Sequence, residues 1–225
     1  MKPRFACSQI YTVNDATVRV RRTLTVDMGH GSCKHPTGRR CKLEIFRGKP
    51  ADTEGRLERE LRTYEFLDSL SIEYDRADHE AAYNMKACDE IDAALGVTMC
   101  KNLFLCNRQK TKFYLLLMPG DKKFLTKELS GQIGSARLSF AAAEDMLRIL
   151  DIEPGAVSVM GIMNDRENAA QLLIDEDILK AEYIGCHPCV CTASLKIRMA
   201  DLVEKFLPAT GHSYMPVRLT GGDPQ

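Results

Sequence analysis

The segment "IGCHPCVCTASL", residues 184–195, carries Cys186, His187, Cys189 and Cys191 in close succession. Thiols and an imidazole at this spacing can hold a soft metal, exchange disulfides, or simply line a pocket. A structural zinc site sets Cys-x2-Cys on a tight knuckle and needs a second ligand pair. Cys186 and Cys189 have the spacing, but Pro188 and Val190 offer no glycine turn, and the segment reads as extended. In a strand, His187, Cys189 and Cys191 would share one face and Cys186, Val190 and Thr192 the other. A metal would then need a further ligand, with Cys33, His35 or Cys41 as the available donors. Redox chemistry needs a helix N-terminus to acidify the thiol, which an extended segment lacks. The ligand count is incomplete, so neither a metal nor a cofactor is expected. His187-Pro188 is the more informative pair. Proline cannot donate to a sheet ladder, so pairing stops or the strand lies at an edge, and a cleft can open there. The plain alternative for His187 is a satisfied, half-buried histidine.

Lys101 opens the apolar run "KNLFLCN" and is followed by Asn102. A lysine at the mouth of such a strand can aim its ammonium at a phosphate or a carbonyl, or it can snorkel into solvent. Between Lys101 and Lys127 stand seven basic residues and one acid, Asp121. Basic residues interleaved with aromatics suit a nucleic-acid backbone, although a solvated charged hairpin would look the same. "GSARLS" places Gly134, Ser135, Arg137 and Ser139 where a loop leads into a helix, whose first N–H groups attract anions. "GIMND", with Gly161 and Asn164, ends an apolar run in what is either a pocket wall or an ordinary turn.

These residues need a scaffold. Leu57, Leu61, Tyr64, Leu67 and Leu70 recur at helical spacing, and "IEYDRADH" reads as a strand. "NMKACDEIDAALG" predicts a helix with Asn84 as N-cap and Gly96 past its end. "KNLFLCN" and "KFYLLLM" form a hairpin around "RQKT". "SFAAAEDMLRILDIEPG" predicts a helix capped by Ser139, "AVSVMGI" and "QLLID" predict strands, and "DILKAEY" a helical turn. "MADLVEKFL" predicts a helix ended by Pro208, and "MPVRL" a last strand. Irregular interleaving with hairpins favoured over crossovers predicts an α+β fold, with a mixed sheet curled into a partial barrel. No Walker A or dinucleotide fingerprint occurs.

Nine cysteines without a secretory signal read as reduced, mostly buried thiols. No apolar run approaches the ~20 residues that span a bilayer, so a soluble, cytoplasmic protein with no membrane partner is expected. The net charge of zero hides an asymmetry. Residues 1–55 hold 11 Lys/Arg and 5 Asp/Glu, leaving 20 and 26 of the 31 of each for the remainder. The expected organisation is a basic, loosely packed tail at 1–55, a folded domain at 56–219 and a short tail at 220–225.

The runs "CKNLFLCNRQKTKFYLLLMPGDKKF", "GSARLSFAAAEDMLRILDIEPGAVSVMGIMND" and "CHPCVCTASL", in that order, resemble the YbaK/prolyl-tRNA deacylase family, from about Arg56 to Leu219. Within it the branch that clears alanine from proline tRNA is the nearest. The resemblance implies a mixed sheet curled around a pocket with helices outside. It also implies hydrolysis of the ester that joins a wrong amino acid to the tRNA 3′ end. Carried onto this chain, it places catalytic roles on Lys101 and His187. Asn102, Ser135, Arg137, Ser139, Gly161, Asn164, Pro188 and Thr192 would contact substrate. The implied partner is mischarged tRNA, in particular tRNA(Pro), with prolyl-tRNA synthetase as a second, and no cofactor is implied. Cys191 stands where the resemblance calls for an asparagine, which removes an amide from the pocket. Removal of cysteine instead of alanine, a non-catalytic RNA-binding paralogue, and a metal-dependent protein are the competing readings.

Overall fold

A computed structural model describes residues 43–81, 85–135 and 137–222, together with the short strands β1 (Thr12–Asn14) and β2 (Thr17–Arg19), which pair antiparallel. The rest of the expected tail, and Asn84 as a helix cap, lie outside the described residues.

Strand pairing builds two larger sheets. The first has the order β3-β4-β10-β9, all antiparallel, from β3 (Ile45–Arg47), β4 (Tyr74–Asp78), β9 (Tyr183–Cys186) and β10 (Ala193–Arg198). β3 comes from the segment assigned to the tail, so the sheet begins upstream of the boundary expected at residue 56. The second has the order β11-β8-β6-β5-β7. Its strands are β5 (Lys101–Asn107), β6 (Phe113–Met118), β7 (Leu138–Phe140), β8 (Ala170–Asp175) and β11 (Tyr214–Val217). β5 pairs antiparallel with β6 and β7, whereas β8 runs parallel to both β6 and β11. The fold is therefore mixed α+β as expected, with two parallel pairings beside the antiparallel ones. The single curled sheet expected from the resemblance is resolved into two sheets that do not close.

β6 is buried along its whole length, as a central strand must be. On one side of this sheet Phe104, Cys106, Leu115 and Leu117 enter the main core. Leu103, Leu105, Leu116 and Met118 enter a smaller core under α3 (Thr126–Gln132), a helix whose few apolar residues gave no periodic signal. The stripe on α1 (Glu58–Ser69) forms as predicted around fully buried Tyr64 and Leu67, but Leu57 is exposed before the first turn. α2 (Met85–Leu95) covers β4 through Ile91 and Leu95.

Three local readings are corrected. Ser139 lies in β7, and the helix begins later as α4 (Ala143–Leu150). "AVSVMGI" is not a strand: Ser158 caps a 3-10 helix (Val159–Asn164) by accepting from the Met160 amide. Pro208 does not end the last helix. α6 (Met199–Asp201) passes through a π-helical turn (Leu202–Phe206) into α7 (Leu207–Thr210), where proline tolerates the first turn. The helical turn at 177–183 forms as α5 (Glu176–Leu179).

Candidate active site at the junction of the two sheets

The sheets meet where the chain entering β5 runs beside the edge strand β9. Met99 bridges Gly185 in parallel register, and the Cys100 amide donates to the Gly185 carbonyl at 3.0 Å. Gly185 makes this approach possible, because a Cβ there would sit 2.6 Å from the Met99 sulfur and 3.0 Å from its Cα. Two residues beyond the bridge on the two chains stand Lys101 and His187. The bridge thus brings the start of β5 next to the end of β9, on whose continuing chains these two residues stand.

Lys101 is half-buried, and its ammonium donates to the Lys122 carbonyl at 2.7 Å. That carbonyl is held in place because the Lys122 ammonium is committed to Asp175 at 2.8 Å and Asp177 at 2.6 Å. Burial pulls the Lys101 pKa below the ordinary lysine value, and Asp121 opposes the shift. Strand alternation sends Asn102 to the opposite face, with Phe104 and Cys106. Its amide nitrogen donates to the Cys100 carbonyl at 3.1 Å, whereas its buried Oδ1 has no hydrogen-bond partner among the described residues. A buried acceptor without a donor costs about 1–3 kcal/mol, so it is suited to take a donor from a bound molecule.

"CHPCVCTASL" is not one strand. β9 ends at Cys186, residues 187–192 turn, and β10 begins at Ala193. Cys189 adopts φ 60°, which no glycine announces. His187, Cys189 and Cys191 therefore do not share a strand face. Pro188 is buried in the turn and Thr192 is exposed. Among the described residues no three of His, Cys, Asp and Glu are grouped to hold a metal. Burial pushes the Cys100 and Cys189 thiols up to about 12 and Cys186 well above its ordinary value, which keeps all three protonated and unreactive at neutral pH.

His187 is oriented from both ends. Its Nδ1 lies 2.8 Å from the Ala193 carbonyl, which can only accept, so the neutral ring carries its proton there and leaves Nε2 as the basic nitrogen. Its carbonyl accepts from the buried Ser158 hydroxyl at 2.5 Å. Behind it stands His79, missed in the sequence. His79 Nδ1 lies 2.8 Å from the Glu80 carbonyl, so Nε2 accepts from the Ser194 hydroxyl at 2.9 Å. The Ser194 oxygen is 3.5 Å from His187 Nδ1, and the rings are 6.4 Å apart. The His79 amide also donates to the Thr192 carbonyl at 2.9 Å, which fastens the turn to the end of β4.

Burial lowers the His79 pKa, with the Glu80 carbonyl and Asp78 acting against it. The unfolded chain therefore binds the proton first. Its stability contribution is whole above the ordinary value of 6.5 and is lost as pH falls through the lower folded value. His79→Gln is expected to flatten this acid-side loss, which urea unfolding at pH 7.5 and 5.5 would measure. An unchanged pH dependence would remove His79 from the account.

The other sequence-predicted residues lie elsewhere. β7 pairs Leu138 with Asn107, so Arg137 and Ser135 sit at the far end of β5 from Lys101. Ser139 pairs with Cys106, five residues along, or about 17 Å at the antiparallel rise. Gly161 is packed against the end of α4, where a Cβ would fall 2.4 Å from Ile152 Cδ1. Asn164 donates to the Leu150 carbonyl at 2.8 Å and so closes that helix. A cavity of about 370 Å³ between α5 and the π-helical turn, lined by Glu182, Arg198, Val203 and Tyr214 among others, contains none of these residues.

Residues 79–205 match the aminoacyl-tRNA editing domain family. The chain is 30% identical over 153 residues to the prolyl-tRNA editing protein ProX of Acetoanaerobium sticklandii, covering 68% of this chain and 93% of that protein. It is 28% identical to the prolyl-tRNA synthetase associated domain-containing protein 1 of Xenopus laevis, covering 70% of this chain and 94% of that one. A solved structure described as a candidate trans-editing enzyme for prolyl tRNA synthetase superposes with a TM-score of 0.55 at 16% identity, covering 72% of this chain and 98% of that one. The family match spans more than half of the sequence and begins at His79, so this chain belongs to the aminoacyl-tRNA editing domain family.

Proposed function

We propose that the protein is a prolyl-tRNA editing hydrolase that removes a wrongly attached amino acid, alanine, from tRNA(Pro) in trans. The observation that supports this reading is the Met99–Gly185 bridge, which joins the start of β5 to the end of β9 within a chain of the editing family. An aminoacyl ester is already activated, and the neighbouring ribose hydroxyl helps to activate water. The protein therefore needs to hold the 3′ end, place a water and stabilise the oxyanion. Lys101 supplies the positive charge for a terminal phosphate or the ester carbonyl. Asn102 Oδ1 accepts from the substrate, and His187 with Pro188 shapes the aminoacyl pocket.

Proline is excluded by size, since tolerance of one methylene in a permissive pocket is worth only about 1–3 kcal/mol. The proposal places the reaction in the cytoplasm, with prolyl-tRNA synthetase as the source of the mischarged substrate. Among the described residues no helix is long and apolar enough to cross a membrane. Deacylation of Ala-, Cys- and Pro-tRNA(Pro) tests the proposal. Rapid hydrolysis of the alanyl ester with the prolyl ester spared is expected. Faster loss of cysteine would move the specificity to that residue. Binding of tRNA without hydrolysis of any ester would replace the enzyme by a non-catalytic RNA-binding protein.

A further inference from the structure

Several cations of the folded domain serve the fold itself. Arg56, Arg59, Arg62 and Arg76 each pair with a carboxylate on or beside α1 and β4. The β5–β6 hairpin differs. Arg108, Lys110 and Lys112 are exposed at its tip, and among the described residues none of the three has an acid partner. Of the seven basic residues between Lys101 and Lys127, Lys122 is the one with a carboxylate partner among the described residues. Arg137 joins the tip, because β7 pairs Leu138 with Asn107. The loop before β8, whose Ala170 pairs with Phe113, adds Arg166 and Glu167, which offset each other.

The tip is nonetheless held in place. Asn107 Oδ1 accepts from the amides of Thr111 and Lys112 at 2.9 and 3.1 Å, and its Nδ2 donates to the Thr111 hydroxyl at 2.9 Å. The Lys110 amide donates to the Asn107 carbonyl at 3.0 Å, which places Lys110 in a positive-φ turn. Three charges without partners on a tied-down loop are organised for something outside the chain. The strand beneath them is a ruler. β5 is paired with β6 along its length, and six residues at the antiparallel rise put Asn107 about 20 Å from Lys101. A ligand that touched both ends would need negative charge repeated over that span, which a nucleic-acid backbone provides.

We infer that the β5–β6 hairpin tip is a phosphate-backbone subsite, which grips the RNA several nucleotides back from the esterified 3′ end while Lys101 holds the end itself. This rests on the proposed function and adds the part of the substrate on which the enzyme's affinity depends. The contact is to phosphates, so it carries affinity and no sequence choice.

The triple variants Arg108→Glu/Lys110→Glu/Lys112→Glu and Arg108→Gln/Lys110→Gln/Lys112→Gln test it. Each is assayed on whole mischarged tRNA and on the same amino acid esterified to a short 3′-terminal CCA oligonucleotide. The glutamate variant is expected to lose at least tenfold in kcat/KM on whole tRNA, the glutamine variant less, and neither to change on the oligonucleotide. The slope of log affinity for uncharged tRNA against log salt should flatten by about 2–3, near one per contact removed. Equal losses on both substrates, or unchanged values on both, would overturn the subsite. Should the wild type hydrolyse neither substrate, the editing reading fails. Affinity for uncharged tRNA then decides the subsite alone, supporting it if the triple variants bind more weakly and overturning it if they do not.

Discussion

Lys101→Ala is expected to lower kcat/KM for ester hydrolysis by about 10²–10³-fold, the scale of losing one preorganised charge-stabilising donor, while the protein stays folded. Stability should change little. Among the described residues the ammonium makes one hydrogen bond, 2.7 Å to the Lys122 carbonyl, worth about 1 kcal/mol, and burial works against its charged form. Lys101→Met, which keeps the apolar stem, separates charge from packing and should be as impaired as the alanine variant.

The pH dependence follows from the lowered pKa. Ammonium is the working form, so activity above the uncatalysed background falls as pH rises through the folded value, which lies under the ordinary 10.5. Between those two values the unfolded chain holds the proton and the folded chain does not. The same group therefore adds stability as pH rises across that window. Activity lost while stability is gained is a signature that alkaline unfolding does not produce. Single-turnover deacylation beside urea unfolding reads both, and Lys101→Met with activity within about threefold of wild type would end the assignment.

Continuous apolar runs made β5 and β6 legible, because burial on both faces leaves apolar side chains at nearly every position. The resemblance singled out Lys101 and His187, but their local geometry could not be read from it. Pro188 and Cys189 suggested a strand with a break, yet the positive φ of Cys189 makes a turn that sequence rules assign to glycine or asparagine. Gly185 did carry a readable signal, since a glycine inside a strand marks close approach of another backbone. His79 and Ser194 carried none. They meet each other and His187 only through the pairing of β4 with β10, far apart in sequence. Ser158 was readable as a cap, but the β-branched valines around it favoured a strand over a 3-10 turn.

"GIMND" shows how a motif quoted for substrate contact can be occupied by structure. Asp165→Ala is expected to cost about 3–5 kcal/mol, the largest loss of stability from a single change near the site. The carboxylate is buried, and its Oδ1 accepts from the Ala169 amide at 3.0 Å. Its Oδ2 accepts from the Ala170 amide at 2.8 Å and lies 3.3 Å from His212 Nε2. Alanine would strand two amides and a ring nitrogen that water cannot reach. Asp165→Asn keeps one acceptor oxygen and should lose roughly half as much. Urea unfolding with an unchanged m-value would confirm that the native state, and not the denatured one, is affected. The consequence reaches the site through chemistry already described. Asp165 closes the 3-10 helix that Ser158 opens, and the Ser158 hydroxyl holds the His187 carbonyl. At a temperature where the variant remains folded, its rate should therefore fall by less than that of Lys101→Ala. A variant as stable as wild type would show that the Asp165 contacts are dispensable, and the anchoring of His187 through Ser158 would need another support.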